Sequence, residues 1–341
     1  DRVKPPLIEY EDALLSGPGA ALASQTFRLM DPVSRRMLAV RPDMTTQVAR
    51  IATSRLRKAP RPLRLCYSGQ VLRVAGTQMR PERQFTQAGA ELVGADRPEA
   101  DAEVAVLAAE SLAEVGAAHL ALDLNLPPLA GQVAAHLGFD ADDAGRLREA
   151  LDRKDAATVT ELAVDHTELF LGLLRAAGPA ETALARLHAL DLPDAARAEI
   201  DRLDAVQRMV RAVLPELTVT VDPVEHRGFE YQSGVSFALY AEGVRGELGR
   251  GGRYTADGDG RAGEPATGFT LFMDTVLRAI PPARPPERIY LPQGTGAVDA
   301  RALRAAGWIT VAGLAPVSDA AAEARRLNCA HVWLDGQVVP A

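Results

Sequence analysis

Apolar and polar positions along the first 120 residues predict a mixture of strands and helices, with the strands meeting antiparallel. Segments 26–31 and 37–40 read as two short strands about the turn Pro32-Val33-Ser34-Arg35-Arg36. Asp43 or Thr45 can cap the helix that follows, whose apolar positions Val48, Ile51, Ala52 and Leu56 share one side. Segments 63–74 and 83–93 alternate as strands. The period lengthens over 98–115, predicting a helix that buries Val104, Leu107, Ala108, Leu112 and Val115 and turns Glu99, Glu103, Glu110 and Glu114 to water. A strand at 119–125 follows.

From about 127 to 215 the chain is Ala, Leu, Asp and Arg with helical spacing, which predicts a helical insertion. Strands resume at 218–222 and 235–240, a glycine-rich stretch runs over 243–268, and a helix over about 270–280 ends in Pro281-Pro282. The proline-rich segment 281–287 reads as a stiff linker. Beyond it, 288–341 reads β-α-β-α-β, a small α/β appendage. The expected organisation is thus a core over 1–280 containing the insertion, the linker 281–287 and the appendage 288–341. No repeat of solenoid period interrupts it.

Composition narrows the function classes. A chain of 341 residues suggests two domains, or one large domain with an appendage. With 45 acidic against 38 basic residues the net charge is −7, which argues against a non-specific nucleic-acid or membrane-surface binder. Only Lys4, Lys58 and Lys154 are lysines, leaving 35 arginines. No lysine completes a GxxxxGK[ST] loop, so that phosphate-binding chemistry is excluded. Cys66 and Cys329 make neither a disulfide framework nor a CxxC site, and a reducing, cytoplasmic compartment is expected. No run of 18 apolar residues and no opening signal segment are present. The chain starts at Asp1 rather than methionine, so a preceding piece is expected.

Several signatures fail. The six histidines are scattered with no HExxH pair, no metal site is expected, and no GxSxG elbow occurs. Gly258-Asp259-Gly260-Arg261-Ala262-Gly263 matches GxGxxG but precedes Glu-Pro rather than a helix, and reads as a mobile loop. The segment 81–94 says more. At strand spacing Arg83, Phe85, Gln87, Gly89 and Glu91 share a face. Two long polar groups about a bare glycine resemble the floor of a small polar site, in which Gly89 leaves room and Glu91 holds an ammonium or N–H donor. A half-exposed sheet with a polar face would give the same pattern. Arg227, Phe229 and Tyr231 share a face in the same way, and 246–254 reads as a flexible segment ending in Tyr254. Each alone has the look of a strand end or surface loop.

Taken in order, Val40-Arg41-Pro42-Asp43-Met44-Thr45, Val71-Leu72-Arg73, Arg83-Gln84-Phe85-Thr86-Gln87-Ala88-Gly89-Ala90-Glu91, Arg227-Gly228-Phe229-Glu230-Tyr231, Gly251-Gly252-Arg253-Tyr254 and Ala266-Thr267-Gly268-Phe269 resemble the histidyl-tRNA synthetase core. The resemblance spans about residues 5–280, and Pro5-Pro6 is similar to the end of the family's first dimerisation motif. It implies an α+β fold: a class II aminoacyl-tRNA synthetase-like antiparallel sheet flanked by helices, with the helical insertion and the small C-terminal α/β appendage. It also places Asp43, Thr45, Gln87, Glu91, Arg227, Tyr231 and Tyr254 where the synthetase holds histidine, with Arg73 beside them. Position 232 is glutamine where the family has a second tyrosine.

The departures fall on the ATP side. Ala75 stands at the position of a glutamate, Phe272 at that of a glycine and Thr275 at that of an arginine. A phenyl ring fills nucleotide space, and a lost arginine removes a charge-assisted phosphate contact. Keeping the amino-acid pocket while losing ATP chemistry resembles the regulatory subunits of ATP phosphoribosyltransferase, a synthetase-paralogue family; segments 26–34 and 41–50 are especially similar to it. The resemblance implies a non-catalytic subunit without cofactor. It implies partnership with a short catalytic chain as a homodimer within a hetero-octamer, and L-histidine as effector through a coupling of about 1–3 kcal/mol. Two locations for histidine stay open, this pocket and a subunit interface. An active histidyl-tRNA synthetase with degenerate motifs is the alternative. A synthetase-like sensor of uncharged tRNA is a third reading, against which the acidic balance weighs.

Overall fold

The structure, a computed structural model, describes residues 1–76, 80–226, 232–256, 263–282 and 285–341. The chain divides into two compact units, Asp1–Pro281 and Pro282–Ala341.

The first unit opens with Ile8–Tyr10 (β1), Glu11–Leu14 (α1), a 3-10 stretch Gly17–Gln25, Arg28–Met30 (β2) and Met37–Val40 (β3). These strands form a small antiparallel sheet in the order β1-β3-β2. Its hairpin closes at Asp31, whose carboxylate accepts from the Val33 and Ser34 amides and the Ser34 hydroxyl, an Asx-type turn. Next come Thr45–Thr53 (α2), Leu63–Leu72 (β4), Gln84–Val93 (β5), Pro98–Glu114 (α3) and Leu120–Asn125 (β6).

The insertion contains Leu129–His136 (α4), Ala141–Asp152 (α5), Ala156–Ala163 (α6), Thr167–Arg175 (α7), the two-residue strand Gly178–Pro179 (β7), Ala180–His188 (α8) and Asp194–Val213 (α9). Asp140 and Asp155 cap α5 and α6 by accepting from the Asp143 and Thr158 amides. Then follow Thr218–Asp222 (β8), Gln232–Ala241 (β9), Gly249–Ala256 (β10), Glu264–Phe272 (β11) and Met273–Ala279 (α10).

Eight strands form one sheet in the order β4-β5-β11-β10-β9-β6-β8-β7. All pairs are antiparallel except β6 with β8, which the helical insertion joins as a crossover. The alternation along β5 separates two cores. Phe85 and Val93 pack with Met44, Val48, Ala49 and Ala52 under α2. Leu92, Phe269 and Leu271 pack on the other face with α3 and the insertion.

Three expectations need correction. Leu107 and Val115 are exposed, because Ala105, Ala108 and Ala109 bring α3 close to the sheet and the longer side chains fall outside that stripe. The segment ending in Tyr254 is not a flexible loop: 249–256 is the buried strand β10. A Cβ on Gly249 would stand 2.6 Å from Leu271, and one on Gly251 would strike the Phe237 ring, so these glycines serve close approach rather than mobility. The helix placed at 270–280 starts only at Met273, since β11 runs through Phe272.

The second unit contains Arg288–Leu291 (β12), Ala297–Ala305 (α11), Ile309–Ala312 (β13), Ala320–Arg326 (α12), His331–Leu334 (β14) and Gln337–Pro340 (β15). Its order is β13-β12-β14-β15, with β12 parallel to β13 and β14. The last strand goes beyond the expected β-α-β-α-β. Asp335 and Gly336 both take positive φ, the two-residue turn that folds β15 back on β14. Among the described residues no helix is long and apolar enough to cross a membrane.

Candidate functional site

Cross-strand register assembles the site on the α2 face of the large sheet. Residues opposite one another in a ladder share a face, and the pairs Tyr67–Gly89, Gly89–Thr270, Leu65–Glu91, Glu91–Gly268 and Gln87–Phe272 build one patch from β4, β5 and β11. β10 extends it through Gly252 and Arg250, opposite Gly268 and Thr270. The start of α2 covers it with Asp43 and Thr45. The resulting cavity is small and is lined by Asp43, Thr45, Glu91, Gln232, Arg250, Gly251, Gly252, Tyr254, Gly268, Phe269, Thr270 and Phe272.

Two carboxyl groups dominate it. Asp43 is fixed by the Gln87 amide, which donates to its Oδ2 at 2.8 Å, and by the Thr45 backbone N–H, which donates to Oδ1 at 2.8 Å. Gln87 is fully buried and its own carbonyl accepts from the Met44 amide at 3.1 Å, so it holds Asp43 rather than facing the cavity. Glu91 is 1% exposed. The Tyr254 hydroxyl donates to its Oε2 at 2.9 Å and the Tyr67 hydroxyl to its Oε1 at 3.2 Å. Burial pushes the Glu91 carboxyl up to about 8; the Tyr254 hydrogen bond opposes this and the Asp43 charge adds to it. Glu91 therefore keeps its proton to a higher pH than an ordinary glutamate. Burial, with Glu91 adding to it, raises the Tyr67 phenol well above its ordinary value.

The space over Gly89 is not left for a ligand. The Tyr67 phenol lies across it: a Cβ at Gly89 would stand 2.6 Å from that hydroxyl, which also meets Thr270 Oγ1 at 2.7 Å and Thr45 Oγ1 at 3.2 Å. Arg73 lines a neighbouring cleft with Ala75, Arg80, Glu82, Phe85, Glu247 and Arg250. Its Nε donates to the Pro42 carbonyl at 3.2 Å, and its Nη2 lies 3.9 Å from Asp43. Asp43, Thr45, Glu91 and Tyr254 thus meet at one cavity, Gln87 supports it, and Arg73 stands behind Asp43. Arg227 and Tyr231 lie outside the described residues, as does 258–262 of the GxGxxG segment. Sequence reasoning missed Tyr67, Thr270 and Arg250, whose only signal is the register that sets Tyr67 and Thr270 beside Gly89 and Arg250 beside Thr270.

Phe272 closes the cavity on the cleft side. It is buried edge-on to Phe85 at 6.0 Å, and the Arg80 guanidinium stacks over its ring at 3.5 Å. Burial lowers Arg80 to about 10 against the pull of Glu247 and Asp274. Thr275, also buried, accepts from Arg278 Nη2 at 3.1 Å.

Chemically, two carboxyls and several hydroxyls offer acceptors for two nitrogen donors, as in an ammonium and an azole N–H. The described lining holds no serine, cysteine, lysine or histidine nucleophile. Among the described residues no cluster of three His, Cys, Asp or Glu could hold a metal ion. A wider, mostly apolar groove between the ends of α3 and α9 contains none of the expected site residues.

Comparison with known proteins identifies the family. A family model described as histidyl-tRNA synthetase matches residues 1–276. An ATP phosphoribosyltransferase regulatory subunit of Rhodospirillum centenum is 55% identical over 99% of this chain and 87% of its own length. One from Paramagnetospirillum magneticum is 56% identical over 97% of this chain and 86% of its own. The crystal structure of an ATP phosphoribosyltransferase regulatory subunit/histidyl-tRNA synthetase from Bacillus halodurans superposes with a TM-score of 0.80. It is 25% identical and covers 96% of this chain and 87% of its own.

Proposed function

The chain belongs to the ATP phosphoribosyltransferase regulatory subunits, on the histidyl-tRNA synthetase fold, and from that premise we propose that its cavity is the receptor for L-histidine. The observation that carries this reading is the pairing of two buried carboxyls with a blocked neighbour. Asp43 suits the α-ammonium, the Glu91–Tyr254 pair suits the imidazole, and Phe272 under Arg80 fills the side where a nucleotide would extend. Buried acceptors reject ligands that lack the matching donors, because an unpaired buried polar group costs about 1–3 kcal/mol.

The chain is a regulatory, non-catalytic subunit that assembles with a short ATP phosphoribosyltransferase. It supports that enzyme's activity and confers feedback because histidine binds one arrangement of the complex better than the other. The family resemblance supports a homodimer of this chain as the unit of a hetero-octamer that contains four catalytic chains. It also supports a single synthetase-like core over 1–280, with 288–341 as its appendage. Cys66 and Cys329, both free thiols, agree with a cytoplasmic setting.

The test is reconstitution. Added to a short catalytic subunit, the chain should raise phosphoribosyl transfer and make it histidine-sensitive, and the isolated chain should bind histidine in a calorimeter. Histidine-dependent ATP–pyrophosphate exchange by the isolated chain would overturn the reading in favour of a synthetase.

A further inference from the structure

Tyr254 reaches Glu91 from a stretch of β10 whose ladder is interrupted on one side. Pairing with β9 steps from Gly252–Ser236 to Tyr254–Gln232, so Arg253 has no partner across that ladder, while β11 still pairs it with Thr267. Such irregularities re-aim side chains. Here the strand is held from the opposite face of the sheet by charge. Arg253, 4% exposed, sets Nε at 3.1 Å and Nη2 at 2.8 Å from the two carboxylate oxygens of Asp101 on α3. It also donates to the Ala95 and Arg97 carbonyls.

Asp101, itself 2% exposed, is shared. Arg202 on α9, the last helix of the insertion, places Nε 3.2 Å from Asp101 Oδ2 and donates from Nη2 to Asp96 at 2.7 Å. A continuous path of charge pairs therefore runs from half-buried Arg202 of the insertion through buried Asp101 to Arg253 and the adjoining cavity tyrosine. Ion pairs of this kind add little net stability compared with apolar packing, and in some systems their contribution is to register instead. The insertion also touches the residue that precedes the expected site residues Arg227 and Tyr231 in the sequence. Asp152, at the end of α5, accepts from the His226 amide at 2.7 Å, one residue before Arg227.

We infer that Asp101 and Arg202 are positioning residues of the ligand cavity, holding Arg253 so that Tyr254 stays in register with Glu91 and making ligand affinity depend on the docking of the helical insertion. The inference rests on the histidine-receptor reading. It assigns the insertion a function in the cavity although no lining residue comes from it.

The experiment uses the full chain with Arg202→Met, Arg202→Lys and Asp101→Asn. Histidine titration calorimetry is combined with 19F spectra of fluorotyrosine-labelled protein, in which Tyr254→Phe identifies the Tyr254 signal. Arg202→Met should melt cooperatively, lose histidine affinity by about tenfold, a usual size for coupling between sites, and shift the Tyr254 resonance. Arg202→Lys should recover most of both, since one ammonium still reaches Asp101. If Asp101→Asn does not fold, the two Arg202 variants decide. Wild-type affinity and an unmoved Tyr254 resonance in folded Arg202→Met would overturn the inference. Absence of histidine binding by the unmodified chain would instead sink the receptor reading, and the resonance alone would then decide the coupling.

Discussion

The carboxyl of Glu91 occupies the space that a side chain on Gly268 would take: a Cβ built there collides with Glu91 Oε2 and approaches the Ala90 carbonyl at 2.9 Å. The two residues face each other across the β5–β11 ladder. Gly268→Ala must therefore push the carboxyl away from the Tyr254 hydroxyl or part the strands. Overpacking of this kind costs about 1–3 kcal/mol. The expected outcome is a modest fall in Tm with a loss of histidine affinity of about tenfold or more. Calorimetry and a thermal melt on the same sample would check it, and an unaltered affinity would remove Glu91 from the receptor.

Glu91 also sets a pH dependence of stability. Its folded value of about 8 lies above that of an unfolded glutamate, so between the two the unfolded chain holds fewer protons and stability falls as pH rises. The window runs from roughly pH 4.5 to 8, and one fully displaced group contributes at most about 1.4 kcal/mol per unit. Glu91→Gln keeps the shape and removes the proton. Urea unfolding at pH 5.5 and 7.5 should show the wild type losing stability relative to Glu91→Gln across that interval. A constant difference between the two proteins would contradict a neutral Glu91.

Much of this site was legible in the chain, and the limits were physical. Alternation along 83–93 correctly set Gln87, Gly89 and Glu91 on one face, because strand period depends on local geometry alone. What filled the space over Gly89 depended on register, which brings Tyr67 from β4 beside it and has no local signal. The run Gly249-Arg250-Gly251-Gly252 suggested mobility because glycine's freedom is local, whereas its burial here answers Phe237 and Leu271 on neighbouring strands. Leu107 misled for a related reason: hydrophobic identity placed it inside, but alanines made the close helix–sheet contact. The Asp335-Gly336 turn was a local signal that went unread.

Gln87 illustrates support without contact. Its amide bridges Asp43 Oδ2 and the Met44 N–H, both buried. Gln87→Ala strands a donor and an acceptor together, at about 1–3 kcal/mol each. Histidine affinity should drop by at least tenfold as Asp43 loses its orientation, and Tm should fall clearly further than for Glu91→Gln measured at pH 7.5. Normal histidine inhibition of the reconstituted complex by the Gln87→Ala chain would show that Asp43 needs no such holder.

Restoring the two synthetase-like residues should not restore adenylation. Phe272→Gly with Thr275→Arg reverses two of the three departures and leaves Ala75, and Arg80, 8% exposed and lying between Glu247 and Asp274, still occupies the cleft once the ring beneath it is gone. The double variant also removes a ring packed on Phe85, at about 3–5 kcal/mol for loss of a buried phenyl, and buries a guanidinium where Thr275 is 1% exposed. Its instability is best measured first, by denaturant unfolding, so that exchange assays use folded protein. Histidine-dependent ATP–pyrophosphate exchange should then stay at background, because an anionic transition state needs preorganised positive charge free to meet it. In this cleft the charge of Arg80 faces two carboxylates. Exchange clearly above background in the folded double variant would mean that Phe272 and Thr275 alone separate this chain from an enzyme.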